Sequence, residues 1–480
     1  MKQSLLIFLL LLPFGSAAMS LAEYLSAVSQ GHPELRAMAA RGGQYEASLQ
    51  KAEGAYDSTL IHKSAARLSG YYDGIYARQR YVQPIETFNA QFFTEYRISD
   101  QDFPVYEQEN QTLSGGEASV GVRLSLLQNR DIDDNRFGIR QASVDTQKWR
   151  QQVRIAQSEF YFEAIQAYLN WAEAKNYQAA AQQLVETTRA QQNAIQQRVD
   201  SGDLADLALT EFATRLLERE LSLLEAEGKV QTSLQKLSYF MGGWKGNFYQ
   251  SQSSLFTEQS RGWQTLFALA EQTRKDINTH PAVATKLLEL SVYQQKLRLA
   301  DTKLLPKLDL EAAIAKDFGA GPAPLEQAET KIGLYFSLPL QRNQAKAEKS
   351  KVQLELQQLN AELDALKQAI TTQLEEARVN LNYATRLFEM NHQQVSLNNR
   401  LLLQEQRQFE LGASDFFMLN SREVDAFKAK LKSIRAEFNI YRQQLRILKI
   451  QASLDHEFVV STAATQTWGN EVIIQRTPQL

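Results

Sequence analysis

The sequence predicts a mainly α-helical protein that also supplies strands to a membrane β-barrel, arranged as two similar halves. Apolar residues in steps of three and four run through long stretches, which indicates coiled-coil helices. Shorter segments alternate apolar and polar residues, as strands with one apolar and one polar face do. Both patterns occur twice in the same order, so the sequence indicates an internal repeat.

The first 18 residues have the features of an export signal. Lys2 is the basic start, residues 5–12 form an unbroken apolar run, and Ser16, Ala17 and Ala18 offer a small-residue cleavage site. An uncleaved membrane anchor is the alternative, but the run is too short to span a bilayer. After Ala18 no apolar run is long enough for a membrane helix, so membrane insertion of the mature chain would need β-strands.

The composition of the 480 residues excludes several kinds of function. A formal net charge of −3 gives no support for nucleic-acid binding. With 0 cysteines, the chain has no disulfides, thiolate metal sites or cysteine nucleophiles. We find no phosphate-binding glycine loop, nucleophile elbow or zinc-protease motif. The sequence therefore predicts no enzyme, no cofactor and no metal site.

The stretch from Gln408 to Glu423 predicts a tight turn between two long antiparallel helices. Gly412 can adopt the left-handed backbone that ends a helix, and Ser414 and Asp415 are residue types that cap the next helix. Apolar residues then continue in steps of three and four at Val424, Phe427, Leu431, Ile434, Phe438, Tyr441, Leu445 and Leu448.

A weaker copy of this turn lies in the first half, where Gly202 and Asp203 are followed by Asp206. Long helices are expected at about residues 133–199 and 343–411, each roughly 100 Å long at 1.5 Å per residue. Shorter helices are expected to return at about 203–241 and 415–453. Extra steps of four in the apolar seams relax the supercoil, so such helices can lie side by side in a wide tube.

The dipeptide His-Pro opens a helical segment in each half, at His32-Pro33 and at His280-Pro281. Proline in the first turn of a helix loses no hydrogen bond. We therefore interpret both sites as helix restarts rather than as metal-binding or catalytic histidines.

Period-two alternation predicts two strands in each half. In the second half they cover residues 307–314 and 331–338; in the first half they cover 120–126 and a poorly patterned partner somewhere in 58–68. A soluble sheet on a core and a membrane sheet with its apolar face on lipid both fit such strands. The export signal favours the membrane.

The connection from Gly70 to Gly116 is rich in aromatic residues. One interpretation is an external loop with part of an interfacial aromatic girdle. The other is an extended hairpin with ordinary cross-strand aromatic pairs. The sequence leaves both open.

The predicted strand count requires more than one copy of the chain. Four strands per chain cannot close a membrane barrel, which needs at least about eight, and an open edge is not tolerated in lipid. Two copies give the smallest barrel, with a filled interior, and three give twelve strands around a channel. The strand count favours three copies.

The predicted divisions are a signal peptide at 1–18, a first repeat at 19–262, a second repeat at 263–455 and a polar tail at 456–480.

With these features the sequence resembles the TolC family of bacterial outer-membrane efflux proteins, over nearly the whole mature chain. The resemblance rests on the two His-Pro sites, on residues 124–133 and 336–342 after the strands, and on residues 198–204 and 409–415 at the turns. It implies a homotrimer with a twelve-stranded barrel in outer-membrane lipid and an α-helical barrel in the periplasm. It also implies a passive exit duct that works with a periplasmic adaptor protein and an inner-membrane transporter.

The resemblance assigns roles only at the turns. Gly202 and Gly412 match the turns that meet the adaptor, and Asp203 and Ala413 share that role by position. The founding member holds its gate with an arginine and inward aspartates near the second turn. This chain has Ser414 in place of the arginine and Asn420 near an aspartate position.

Asp206 and Asp415 are the candidates for a negatively charged gate constriction. Their alternative role is to cap helices or to interact with the helix dipole. A periplasmic coiled-coil adaptor or structural protein is the alternative function for the whole chain, since the helices alone would suit it. An exported enzyme has no support from any residue.

Overall fold

The computed structural model describes residues 21–71, 73–100, 103–104, 110–242 and 276–454. The predicted export signal, the end of the first repeat from residue 243 and the polar tail at 456–480 lie outside these residues. The helices are α1 Leu21–Gly31, α2 Pro33–Glu53, α3 Asp134–Asp200, α4 Leu207–Phe240, α5 Pro281–Thr302, α6 Asn343–Glu410 and α7 Phe416–Ile450. The strands are β1 Thr59–Arg67, β2 Gly74–Ile85, β3 Ala90–Asp100, β4 Glu117–Ser125, β5 Lys307–Asp317 and β6 Glu329–Ser337.

The four helices of the two hairpins confirm the helical prediction. α3 has 67 residues and α6 has 68, and both end at the predicted turns. The apolar residues of α6 follow steps of three and four, and several of them are buried, for example Val352, Ala377 and Ala384. Both returning helices begin a little later than expected, because the first residues after each glycine belong to the turn.

The chain folds into two compact units that both draw on each half of the sequence. The helical unit contains the described residues of Met1–Met38, Val153–Pro281 and Lys367–Leu480. The sheet unit contains Ala39–Gln152 and Ala282–Leu366. The four divisions predicted from the sequence are continuous segments of the chain, unlike these two units, and they stay a prediction.

The core of the helical unit joins α1 to the hairpin helices. Tyr24 and Leu25 of α1 are fully buried among Tyr161, Leu237 and Leu445, which come from α3, α4 and α7. The Tyr24 hydroxyl donates a hydrogen bond of 3.3 Å to a backbone carbonyl of α3, so its polar atom is satisfied. Burying each of these side chains contributes about 1.5–3 kcal/mol.

Both prolines open a helix, as predicted: Pro33 is the first residue of α2 and Pro281 the first of α5. At Pro33 this is a restart, because α1 ends at Gly31; the helical segment expected before His280 lies largely outside the described residues. His32 packs against Phe160, with 4.7 Å between the ring centroids, and against Tyr239. Burial lowers the pKa of the His32 imidazole, which favours its neutral form.

The sheet unit corrects the predicted strand count of four per chain. The described residues form one antiparallel sheet of six strands, in the order β1-β2-β3-β4-β5-β6. The two additional strands, β2 and β3, lie in the aromatic connection between Gly70 and Gly116. The expected pairing of β1 with β4 is also wrong, because β2 and β3 lie between them. The connection is therefore in part a hairpin of its own, and its register sets Tyr81 opposite Thr94 and Tyr96 opposite Gln79 rather than aromatic residues opposite each other.

The two faces of the sheet differ in chemistry. One face is apolar over β4, β5 and β6, and its side chains there are open to the surroundings, including Val120, Ile314, Ile332, Leu334 and Phe336. The opposite face carries ion pairs such as Arg97–Glu117 at 2.8 Å and Arg123–Glu311. That charged face lines a cleft of about 910 Å³.

None of the helices within the described residues combines the length and the apolar character that a membrane crossing requires.

Candidate functional site: the ends of the helical hairpins

The two hairpin turns have the same backbone hydrogen bonds. At the first turn the Gly202 N–H bonds to the Val199 carbonyl at 2.9 Å, and the Asp203 N–H bonds to the Arg198 carbonyl at 2.8 Å. At the second, Gly412 and Ala413 repeat this pattern at 3.1 and 2.8 Å. This is the Schellman arrangement, in which a left-handed residue ends a helix. Both glycines have positive φ, +81° and +71°, as the sequence predicted for Gly412.

The two candidate aspartates behave differently. The Asp415 carboxylate accepts a hydrogen bond of 2.7 Å from the Met418 N–H, so it caps α7. Asp206 precedes α4 with helical backbone angles, and its side chain makes no capping hydrogen bond. Both are exposed on the hairpin ends, as are Asp203 and Ala413.

Ser414, where the resemblance led us to expect an arginine, binds within its own hairpin. Its hydroxyl donates to the Glu405 carboxylate of α6. Arg422 of α7 lies 3.8 Å from the other oxygen of Glu405. Ser414 therefore links the turn to α6 through its hydrogen bond to Glu405, and Glu405 in turn lies beside Arg422 of α7.

An aromatic cluster joins the two hairpin ends. Phe416 of α7 packs against Phe212 of α4 and Phe409 of α6, with ring centroids 6.1 and 6.2 Å apart. Arg215 lies over the Phe416 ring at 4.5 Å, and Arg198 lies over the Phe409 ring at 4.7 Å. Because each cation comes from the first hairpin and each ring from the second, these contacts hold the two hairpins together.

A buried ionic network lies deeper between the same helices. The Arg219 guanidinium of α4 donates to the Glu423 carboxylate and to the Asn420 amide oxygen of α7, both at 2.8 Å, and to the Thr188 hydroxyl of α3. Gln191 of α3 donates to the second Glu423 oxygen at 2.7 Å. The side chains of Arg219 and Glu423 are only 7% and 5% exposed. Their charges are therefore satisfied by each other and by neighbouring polar groups, as buried charges must be.

This network could not be identified from the sequence pattern. The resemblance put Asn420 near an aspartate position, whereas in the structure its amide oxygen accepts a hydrogen bond from Arg219. Glu423 ended the stretch that predicted the turn, but nothing in the apolar pattern marks a charged residue as buried. The only available signal was that Glu423 lies in a second stripe of α7 between Leu419 and the small residues Ala426 and Ala429, which are also buried.

The outer surface of the hairpin ends is apolar as well as acidic. Leu411 is 82% exposed and Phe417 is 70% exposed, and Leu207 and Met418 are also open. Exposed apolar side chains grouped with polar ones are typical of protein interaction sites. Within the described residues no group of His, Asp and Glu side chains could hold a metal ion.

The described fold is similar to solved structures of bacterial outer-membrane channels. The CmeC channel of Campylobacter jejuni matches with a TM-score of 0.60 and 12% sequence identity, over 90% of this chain and 85% of that chain. The outer-membrane protein VceC of Vibrio cholerae matches with 0.60 and 12%, over 89% and 95%. The open-state MtrE channel of Neisseria gonorrhoeae matches with 0.62 and 11%, over 92% and 90%.

No protein-family profile matches the chain, and no curated protein sequence does. At identities of 11–12% the likeness concerns the fold. The chain therefore has the fold of outer-membrane channels of the TolC type, which is the fold that the resemblance in sequence implied.

Proposed function

We propose that the protein is an outer-membrane channel, the passive exit duct of an efflux or type I secretion system, and that it extends from the outer membrane into the periplasm. One observation carries the proposal: the sheet has an exposed apolar face and a charged opposite face within the fold of outer-membrane channels. In lipid, such a sheet would place Ile332 and Leu334 against hydrocarbon and Arg123 and Glu311 in an aqueous bore.

The channel would work as a homotrimer with a periplasmic adaptor, or membrane-fusion, protein and an inner-membrane transporter. The hairpin ends are the proposed contact site for the adaptor, through Gly202, Asp203, Gly412 and Ala413. Their exposure beside Leu411 and Phe417 supports a protein contact there. Asp206 and Asp415 are the proposed acidic constriction, and the Asp415 cap leaves its second carboxylate oxygen for that role.

Purified protein in planar lipid bilayers should conduct ions, because a barrel with the charged face inside forms a water-filled path. Conductance should scale with the amount of oligomer and vanish when the oligomer is dissociated. A preparation that stays soluble in water as a monomer and leaves bilayers sealed at every concentration would contradict the proposal and favour the periplasmic adaptor alternative.

Replacing Gly412 with valine should strain the second turn by about 1 kcal/mol or more, because a β-branched residue does not tolerate a φ of +71°. No atom lies within 4 Å of the position that a Cβ would take, so the effect comes from the backbone alone. We expect intact oligomers with impaired export or a leaky pore. Gly412→Asn is the matched control, since asparagine tolerates the left-handed region. Normal export by the valine variant would remove Gly412 from the proposed contact site.

A further inference from the structure

The six-stranded sheet has two open edges. β1 and β6 are its outer strands, and all nine residues of β1 and all of β6 except Ser337 are exposed. Each edge presents a row of backbone N–H and C=O groups to the surroundings. In water such a row invites pairing with another chain, and in lipid it must be paired.

The two edges match each other in length and direction. β1 and β6 each contain nine residues. Because all five neighbouring pairs are antiparallel, the first and sixth strands run in opposite directions. β6 of one copy can therefore continue the same antiparallel pattern with β1 of the next copy.

We propose that β6 of one copy pairs with β1 of the next, with Ser337 opposite Thr59, and that three copies close an eighteen-stranded barrel. This inference rests on the proposed channel function and trimer, and it replaces the twelve strands that the sequence predicted. The two additional strands per copy are β2 and β3, which form a complete part of the sheet between β1 and β4.

This register gives complementary side-chain pairs on both faces. On the charged face it sets Arg67 opposite Glu329, a pair of opposite charges. On the apolar face it sets Leu60 opposite Phe336, an aliphatic–aromatic pair of the kind that stabilises antiparallel strands. A slip of one residue would turn the apolar side chains of β6 towards the charged face of the neighbouring copy.

The stagger of the observed strands also agrees with closure in this register. The partners across the sheet from Thr59 are, in order, Val82, Phe93, Gly121, Ala313 and Lys331. Lys331 precedes Ser337, the proposed partner of Thr59 in the next copy, by about six residues. With roughly 3.4 Å per residue and 4.8 Å between strands, that shift over six strands corresponds to a tilt of about 35°. Closed barrels have strand tilts of about 35–45°.

Disulfide cross-linking tests the register without background, because the sequence has 0 cysteines. The variants Ser64→Cys/Ile332→Cys and Ala65→Cys/Lys331→Cys each place two cysteines opposite each other across the proposed contact. Adjacent antiparallel pairs alternate in geometry, so at least one of these variants should favour a disulfide. On oxidation in membranes we expect covalent trimers on a non-reducing gel.

The experiment has one negative and one positive control. Ser64→Cys/Gly333→Cys puts the cysteines on opposite faces and should give no covalent oligomer, so that only the single chain is seen on a denaturing, non-reducing gel. Ser119→Cys/Ala315→Cys lies across β4 and β5 of one copy and should form a disulfide within the chain. Complete oxidation that stops at covalent dimers would overturn the eighteen strands, because two copies close twelve.

The pairing of β6 with β1 would be overturned if both test variants gave only single-chain bands on the gel while the Ser119→Cys/Ala315→Cys control was oxidised. Such an outcome with a parent protein that still conducts in bilayers would leave the channel function standing. A cysteine-free parent that fails to conduct would contradict the channel function itself.

Discussion

Replacing Arg219 with methionine should destabilise the helical unit by about 3–5 kcal/mol, because it leaves the Glu423 carboxylate buried without its cation. The carboxylate would keep the hydrogen bond from Gln191, which does not neutralise its charge. The thermal unfolding midpoint, followed by circular dichroism of the purified oligomer, should fall clearly. Since Arg219 holds α4 to α3 and α7, the bilayer conductance of the variant should also fluctuate more at rest.

An exposed ion pair between the same helices provides the matched control. Arg189 of α3 and Glu220 of α4 approach to 2.6 Å, but their side chains are 58% and 37% exposed. Removing a solvated ion pair costs about 0–1 kcal/mol. Arg189→Met should therefore leave the unfolding midpoint nearly unchanged.

The double variant Arg219→Met/Glu423→Leu separates the cost of an unpaired charge from the value of the ion pair. An apolar replacement of a whole buried pair is often neutral or stabilising. We expect most of the lost stability to return. A single variant as stable as the parent, or a double variant that is less stable than the single one, would contradict the role of this network.

Replacing Leu334 with arginine should prevent stable insertion of the sheet into the outer membrane. Leu334 lies near the middle of β6 on the apolar face and is 66% exposed in the single chain. An arginine on the lipid face near the bilayer midplane costs about 2–4 kcal/mol per copy. Because each copy of an oligomer carries the change, the expected result is loss of the heat-resistant oligomer from outer-membrane fractions.

The adjacent position gives the control for this experiment. Gly333 belongs to the charged face, and no atom lies within 4 Å of a Cβ built there. Gly333→Arg should therefore assemble like the parent. Equal assembly of the Leu334 and Gly333 variants would show that the apolar face does not contact lipid.

The helices could be predicted from the sequence because their signals are local and repeated. The seam of α6 follows steps of three and four, and the glycine at each turn has the single conformation that ends a helix there. The sequence could not show which aspartate side chain caps its helix. Asp415 and Asp206 have the same residue type after a glycine, yet only the Asp415 side chain reaches a backbone N–H.

β2 and β3 could not be predicted because neither face of this hairpin is uniformly apolar. Arg78, Arg80 and Arg97 lie on the charged face, and Gln79 and Gln83 lie on the other, so the period-two signal is lost. The ionic network was missed for a different reason. Arg219 and Glu423 are 204 positions apart, and only the folded chain shows that each is the other's partner.

The aromatic cluster at the hairpin ends has a mechanical consequence. Phe212, Phe409 and Phe416 come from both hairpins, and two arginines of the first lie over rings of the second. Displacing one hairpin end alone would separate these rings and expose them to water. We therefore expect the two hairpin ends to move together. A protein that binds one turn and displaces it would displace the other turn as well.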